Sequence, residues 1–438
     1  MDRKGTFDRF FSSIRLDSTE DYDAGLDGIA KTLNKEYYGE SSAEHITLVG
    51  SVGRGTAVRG ASDVDVLFEL PESVRKRFDN YESNGQSALL QEVKTVLKRR
   101  YPRTKMRGDG QVVVIEFVDR DYSIELVPAF KRNDGGFDYP DTHDGGSWKK
   151  TDPIPEQEAA EESDSASSGN YVRCCNSLRV WKDTQGLELG GLLIDTLVCG
   201  YMEGCDELRR ATSGGYVEAF KALFGMLGSE NPDQSYWFAL GSNQRVYNTG
   251  NGAFVKKAKK ALKKLDEAEG ESELEDVLVE LFGKRFKDCL VGSESEEKER
   301  SWASAYGCST SEQFIEDLYP VDIRYSLSLD CRVTQDGWRP RKLSEILRTH
   351  SFLRREKNLD FYISNTSVPS HCELLWKVRN CGEEAYRRNM VRGQIIEDDG
   401  SRSRHEHTDF SGSHFVECYC IENGVCVART RIDVPIRA

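Results

Sequence analysis

The chain reads as an α+β protein in three parts: a mixed sheet with helices against one face, a mainly helical part, and a C-terminal antiparallel β-sandwich. Three observations predict this. Short β-rich runs (Ile46 to Val49, Val64 to Phe68, Val112 to Val118, Tyr122 to Val127) enclose SALLQEVKTVLKRR. There Leu89, Leu90, Val93, Val96 and Leu97 recur at helical spacing behind Ser87 as a cap. Helix-length apolar patterns such as VRCCNSLRVWKD and LLIDTLVCGYM then dominate. Near the C-terminus ELLWKVRNCG, SHFVECYCIENG and VCVARTRIDVPI alternate apolar and polar residues between turn signals.

The expected boundaries follow from these patterns. The first lobe covers 1–170, the helical lobe 171–347 and the sandwich 348–438. Within the first lobe, 133–170 turns polar, with GG pairs at 135 and 145 and the stretch EQEAAEESDSASS, and is expected as a long acidic loop or lid. The lysines of FVKKAKKALKKLDEAE read as a solvated helix face rather than a nucleic-acid site.

Composition narrows the function classes. The 438 residues carry a net charge of -14, against a protein that coats nucleic acid without sequence preference, so no stable nucleic-acid complex is expected. Residues 350–438 hold 13 Lys+Arg and 13 Asp+Glu, so the acidity belongs to the preceding part and the last ninety or so residues stand apart. No apolar run reaches the ~18 residues of a membrane span, and MDRKGTFDRFFSSIRLDSTEDYD lacks the apolar core and cleavage site of a secretion signal. A cytoplasmic protein without membrane association is expected. Its 12 cysteines, without a CxxC pair, read as free thiols, and its 7 histidines show no ligand spacing beyond His405-x-His407, so no structural metal is assigned.

The chemistry concentrates in LVGSVGRGTAVRGASDVDVLFEL, residues 48–70. Asp63 and Asp65 lie one residue apart on an expected strand and so project from one face, while Val64 and Val66 point to the other. Two like charges side by side cost stability unless a cation sits between them, and Mg2+ is held by a few carboxylates together with substrate phosphates. A pair of ions roughly 4 Å apart wants a third acid from a neighbouring strand. Glu125 in YSIELVPAF offers it; Glu116 in VVVIEF competes for the role, and Asp119 and Asp121 read as the intervening hairpin turn. Upstream, Gly50-Ser51 follows a strand, where a glycine admits close backbone approach to phosphate and the serine hydroxyl and neighbouring amides donate. Arg54 and Thr56 in the same loop are either further phosphate contacts or helix-surface residues.

The order GS, eleven residues, DVD, then an acid in an apolar strand resembles the polymerase-β-like nucleotidyltransferase superfamily. It looks most like the bacterial cyclic-oligonucleotide synthases, the CD-NTases of the SMODS and cyclic GMP-AMP synthase-like group. The resemblance implies triphosphate contacts at Gly50 and Ser51 and a metal triad of Asp63, Asp65 and Glu125, where this branch more often has Asp as the third acid. It also places a phosphate-contacting lysine at Lys182 and a structural acid at Asp195. FIEDLYPVDIRYSLSLDC, WKVRN, MVRGQI and VCVAR are similar to the AGS-C sensor domain. Trp376, Arg379, Arg392, His414 and Tyr419 of that segment read as packing and surface residues.

The implied activity is synthesis of a cyclic or short linear oligonucleotide second messenger from nucleoside triphosphates, ATP among them. It would use two Mg2+ ions, with Mn2+ as a substitute, and release pyrophosphate. The implied setting is bacterial anti-phage signalling, with a nucleotide or phage-derived ligand at the sensor and a downstream effector that reads the product. The alternatives are transfer of a nucleotide to a tRNA or protein acceptor, and a catalytically silent nucleotide sensor.

Overall fold

The computed structural model describes residues 3–437 except 17, 61–62, 118–121, 213, 291–293, 309–311, 336–338 and 350–351. The expected turn at Asp119 and Asp121 lies outside the described residues.

The first sheet contains β1 (Ile46–Leu48), β2 (Asp63–Glu69), β3 (Lys105–Asp109), β4 (Val112–Glu116), β5 (Ser123–Lys131), β6 (Phe137–Asp141) and β7 (Ser147–Thr151). Its order is β1-β2-β5-β4-β3, with β6 joined to the far end of β5 and β7 to β6. Only the β2–β5 pair is parallel, so residues in register on these two strands share a face. Val64, Val66, Phe68, Ile124 and Leu126 point to one side, where they bury against Ile29 and Leu33 of the helix Glu20–Tyr37 and Leu89, Val93 and Leu97 of the helix Gly85–Arg100. That second helix starts two residues earlier than Ser87: its cap is Asn84, whose side-chain oxygen accepts from the Ser87 N–H at 3.0 Å.

The expected loop at 133–170 is instead ordered structure. It holds the β6–β7 hairpin and a helix, Pro153–Ala166. Phe137 buries against Leu67 and Ala129 of the sheet, and Pro opens the helix at a position where its missing N–H costs nothing. The acidic composition hid this helix because only Pro153, Glu156 and Ala160 of its length are buried.

The helical lobe packs the helices Asn170–Gln185, Gly191–Gly204, Tyr216–Ser229, Ala253–Glu267 and Glu271–Phe282, with a two-stranded hairpin of β8 (Tyr236–Phe238) and β9 (Arg245–Tyr247). In the lysine-rich helix Phe254, Val255, Ala258, Ala261 and Leu265 face the core, which turns Lys256, Lys259, Lys260 and Lys263 to solvent. The first helix, Arg3–Ile14, packs here rather than in the first lobe. Its Phe7, Phe10 and Phe11 rings contact Phe286, Phe282 and Tyr216 at centroid distances of 5.7, 5.1 and 4.6 Å.

The C-terminal sandwich has strands β10 (Leu327–Thr334), β11 (Arg341–Lys342), β12 (Asn358–Thr366), β13 (Glu373–Arg379), β14 (Arg392–Glu397), β15 (Ser403–His407), β16 (Gly412–Glu422) and β17 (Val425–Ile436). They form two antiparallel four-stranded sheets, β11-β10-β12-β15 and β14-β13-β16-β17, around a shared core of Cys331, Val333, Phe361, Trp376, Cys418 and Val427. The expected start at 348 divides this unit. β10 lies between β11 and β12, and it belongs with the sheet because its apolar residues are buried in the common core. Trp376, Arg379, His414 and Tyr419 are buried and Arg392 pairs with Glu406, in keeping with packing roles. All 12 cysteines are free thiols.

Candidate active site

Register decides which acids meet. Asp63 pairs with Ser123 and Asp65 with Glu125 across the parallel β2–β5 pair, so all four side chains share the face opposite the helices. The competitor Glu116 forms an ion pair with Lys105 at 2.8 Å and does not line the cleft. The Ser123 hydroxyl donates to Asp63 Oδ1 at 2.6 Å. Burial, then the neighbouring charge of Asp63, pushes the Asp65 carboxyl up to about 6. Burial, then Asp63 and Asp65, pushes Glu125 up to about 7. Both are buried carboxyls beside like charges, an arrangement that a cation among them would relieve.

The Gly50–Gly53 turn brings the chain beside these acids. Val49 N–H donates to the Asp65 carbonyl at 2.9 Å, and Gln157 from the 153–166 helix donates to the Leu48 carbonyl at 2.9 Å. Gly50 has φ +61, and a Cβ there would collide with the Asp65 carboxylate. The glycine is required first by the acid beneath it. Gly50, Ser51, Asp63, Asp65, Glu125 and Lys182 line one cleft of about 650 Å³ between the two lobes. The Lys182 ammonium lies 3.0 Å from Asp183 Oδ1 at the cleft wall.

Arg54 and Thr56 are drawn elsewhere. Thr56 is fully buried and its hydroxyl donates to Asp195 Oδ2 at 2.8 Å, so it is not a phosphate contact in this arrangement. Arg54 borders the cleft, but its guanidinium is committed to Asp195 Oδ2 at 2.8 Å and Glu156 Oε2 at 3.5 Å. Arg179 adds two bonds to Asp195, at 2.7 and 2.9 Å. Burial opposes the Asp195 charge, and Arg179 and Arg54 overcome it, holding the carboxyl below its ordinary range. Two guanidinium groups and two carboxylates thus balance in a buried lock that joins the Gly50–Gly53 turn to the helical lobe.

Sequence reasoning missed Ser123, Glu156, Arg179 and Arg324. Ser123 had a signal, the alternation that puts it on the Glu125 side of SIELV. Arg324, whose Nη2 lies 2.9 Å from Asp63 Oδ2, had none, because 261 residues separate the partners.

Residues 1–164 match the family model of the Second Messenger Oligonucleotide or Dinucleotide Synthetase (SMODS) domain, and residues 309–437 match the Adenylyl/Guanylyl and SMODS C-terminal sensor domain. The first part of the chain is thus a SMODS-type synthetase domain and its last part an AGS-C-type sensor domain. The chain is 21% identical over 228 residues to a probable cyclic nucleotide synthase of Bacillus cereus (strain VD146), covering 43% of this chain and 69% of that one. Among solved structures, CdnC of E. coli MS115-1 with ATP aligns at 16% identity and TM-score 0.49, over 64% of this chain and 98% of that one. CdnG of Bradyrhizobium diazoefficiens in complex with GTP aligns at 12% identity and TM-score 0.48, over 65% and 96%. Among the described residues, no helix is long and apolar enough to cross a membrane.

Proposed function

We propose that this nucleotidyltransferase joins nucleoside triphosphates, ATP among them, into a cyclic or short linear oligonucleotide second messenger in anti-phage signalling. The observation that carries this is the convergence of Asp63, Asp65 and Glu125 beside Gly50 and Ser51 in one cleft. In the reaction a ribose hydroxyl oxygen attacks an α-phosphorus, the bond to the β-phosphate bridging oxygen breaks, and pyrophosphate leaves.

The three carboxylates fit a pair of divalent cations: oxygen donors only, on one face, with two of the carboxyls raised by burial and by the neighbouring acids. Asp63, Asp65 and Glu125 would hold one Mg2+, with Mn2+ as a substitute, and the two aspartates a second together with the triphosphate. Bound there, Mg2+ supplies a lower pKa for the attacking hydroxyl and charge neutralisation for the departing pyrophosphate. Ser51 and the Gly50 backbone bind and orient the triphosphate, and Lys182 supplies a cation from the opposite wall. The C-terminal domain gates the synthase in response to a nucleotide or phage-derived ligand, and a separate effector reads the product.

The test is incubation of the full chain with labelled ATP, GTP, CTP and UTP, singly and in pairs, with Mg2+ or Mn2+, followed by chromatography of phosphatase-resistant products. Product from the parent and none from Asp63→Ala/Asp65→Ala is expected. No difference between the two proteins overturns the reading, and label on protein or tRNA transfers it to another acceptor.

A further inference from the structure

The segment 320–325 belongs to neither lobe, yet its Val321 and Asp322 line the cleft and its Arg324 brings a cation to the acids. Its backbone is stitched to β17 of the sandwich. Cys426 N–H donates to the Pro320 carbonyl at 2.8 Å, Asp322 N–H to the Cys426 carbonyl at 3.0 Å, and Arg324 N–H to the Val427 carbonyl at 2.9 Å. Val321 forms a parallel bridge with Cys426. Cys426 and Val427 are fully buried in the sandwich, so the strap can move only with β17 or by unpairing from it.

From this strap the Arg324 guanidinium reaches Asp63 Oδ2 at 2.9 Å, with its Nε on Asp322 at 2.5 Å. The other oxygen of Asp63 is occupied by the Ser123 hydroxyl. Both oxygens of the first acid are therefore engaged by the protein, one of them by a permanent positive charge. A guanidinium at that oxygen and a divalent cation on the same carboxylate repel one another.

We propose that Arg324 is a built-in competitor of the divalent metal at Asp63, and that the sensor sandwich sets the metal occupancy of the catalytic site by holding or withdrawing the strap. This rests on the reading of Asp63, Asp65 and Glu125 as a metal site. With the strap docked, Arg324 occupies Asp63 and the site holds metal weakly. A ligand that shifts β17 frees Asp63, and metal entry then favours the withdrawn strap by the same factor, as linkage requires.

The experiment measures Mn2+ binding to the full chain without nucleotide, by the loss of the free-ion electron paramagnetic resonance signal. Wild type is compared with Arg324→Ala, Arg324→Gln, Asp63→Asn and the Asp63→Asn/Arg324→Ala pair. Roughly tenfold tighter Mn2+ binding is expected in Arg324→Ala, a coupling of ordinary size, and none of that gain in the pair. Arg324→Gln removes the charge while keeping a polar side chain with N–H donors, and serves if the alanine variant does not fold. Unchanged or weaker Mn2+ binding in the folded Arg324 variants overturns the competition while leaving the metal site intact. Unchanged Mn2+ binding in Asp63→Asn overturns the metal reading itself. A raised KM for triphosphate in Arg324→Gln with unaltered Mn2+ affinity makes Arg324 a phosphate contact, and also overturns the proposal.

Discussion

Arg54 and Asp195 lie 141 residues apart and meet through a 2.8 Å hydrogen bond in the buried seam between the Gly50–Gly53 turn and the helical lobe. Arg179 and Thr56 complete the contacts of Asp195, leaving neither of its oxygens free. Asp195→Ala leaves the Arg179 guanidinium without its acid and Arg54 with Glu156 alone. Breaking a buried pair in this way costs about 3–5 kcal/mol, which urea titration followed by tryptophan fluorescence will read. Loss of product synthesis should track the loss of folded protein.

Gly50→Ala tests a different constraint. The added methyl would meet the Asp65 carboxylate, and the backbone there has φ +61. A strain of about 1–3 kcal/mol is expected, with synthesis falling further than stability because Asp65 itself is displaced. Thermal melting and turnover measured on the same preparation separate the two effects.

Metal should stabilise the fold through the acids. Saturation with Mn2+ at about 100 times its Kd adds about 2.7 kcal/mol, an upward shift of a few degrees in melting temperature for a unit this size. Asp65→Asn and Glu125→Gln should each melt at a temperature nearly independent of Mn2+, whereas Glu116→Gln should respond as the parent does.

The sandwich carries its own acid sensitivity. Glu417 is buried, which opposes its charge, but Lys377, Arg429 and Arg431 overcome burial and hold its carboxyl at about 2, against an ordinary 4.5. Lys377 and Arg429 approach it at 3.2 and 3.5 Å. Its folded value lies below its unfolded one. The stabilisation is therefore complete above about pH 4.5 and is lost as pH falls toward 2, amounting to about 3 kcal/mol over that window. Urea midpoints at pH 6, 4.5 and 3 should fall less steeply for Glu417→Gln, which starts lower because it leaves two cations underpaired.

Much of the first sheet was legible because β2 and β5 advertise themselves: Asp63, Asp65 and Glu125 interrupt apolar runs, and strand periodicity alone assigns them to a face. The 153–166 helix was not, since one narrow buried stripe in a polar stretch looks like a loop. Position in the loop alone leaves Arg54 and Thr56 either at a phosphate or on a helix surface. Whether a side chain there faces the cleft or the seam depends on Asp195, supplied by a distant helix. The start of the sandwich was obscured for a related reason: β10 is separated in sequence from its partner β12 by β11 and a short helix, so the polar interval reads as a border.

The free thiols are unevenly distributed. None of the 12 cysteines precedes residue 174, while Cys331, Cys372, Cys418, Cys420 and Cys426 are buried within the sandwich and Cys174 and Cys175 within the helical lobe. A thiol-reactive reagent is therefore blind to the sheet that carries the acids and reports only on the other two units. Followed by mass, its uptake would time the opening of the sandwich against that of the helices in the unaltered chain, with no introduced label.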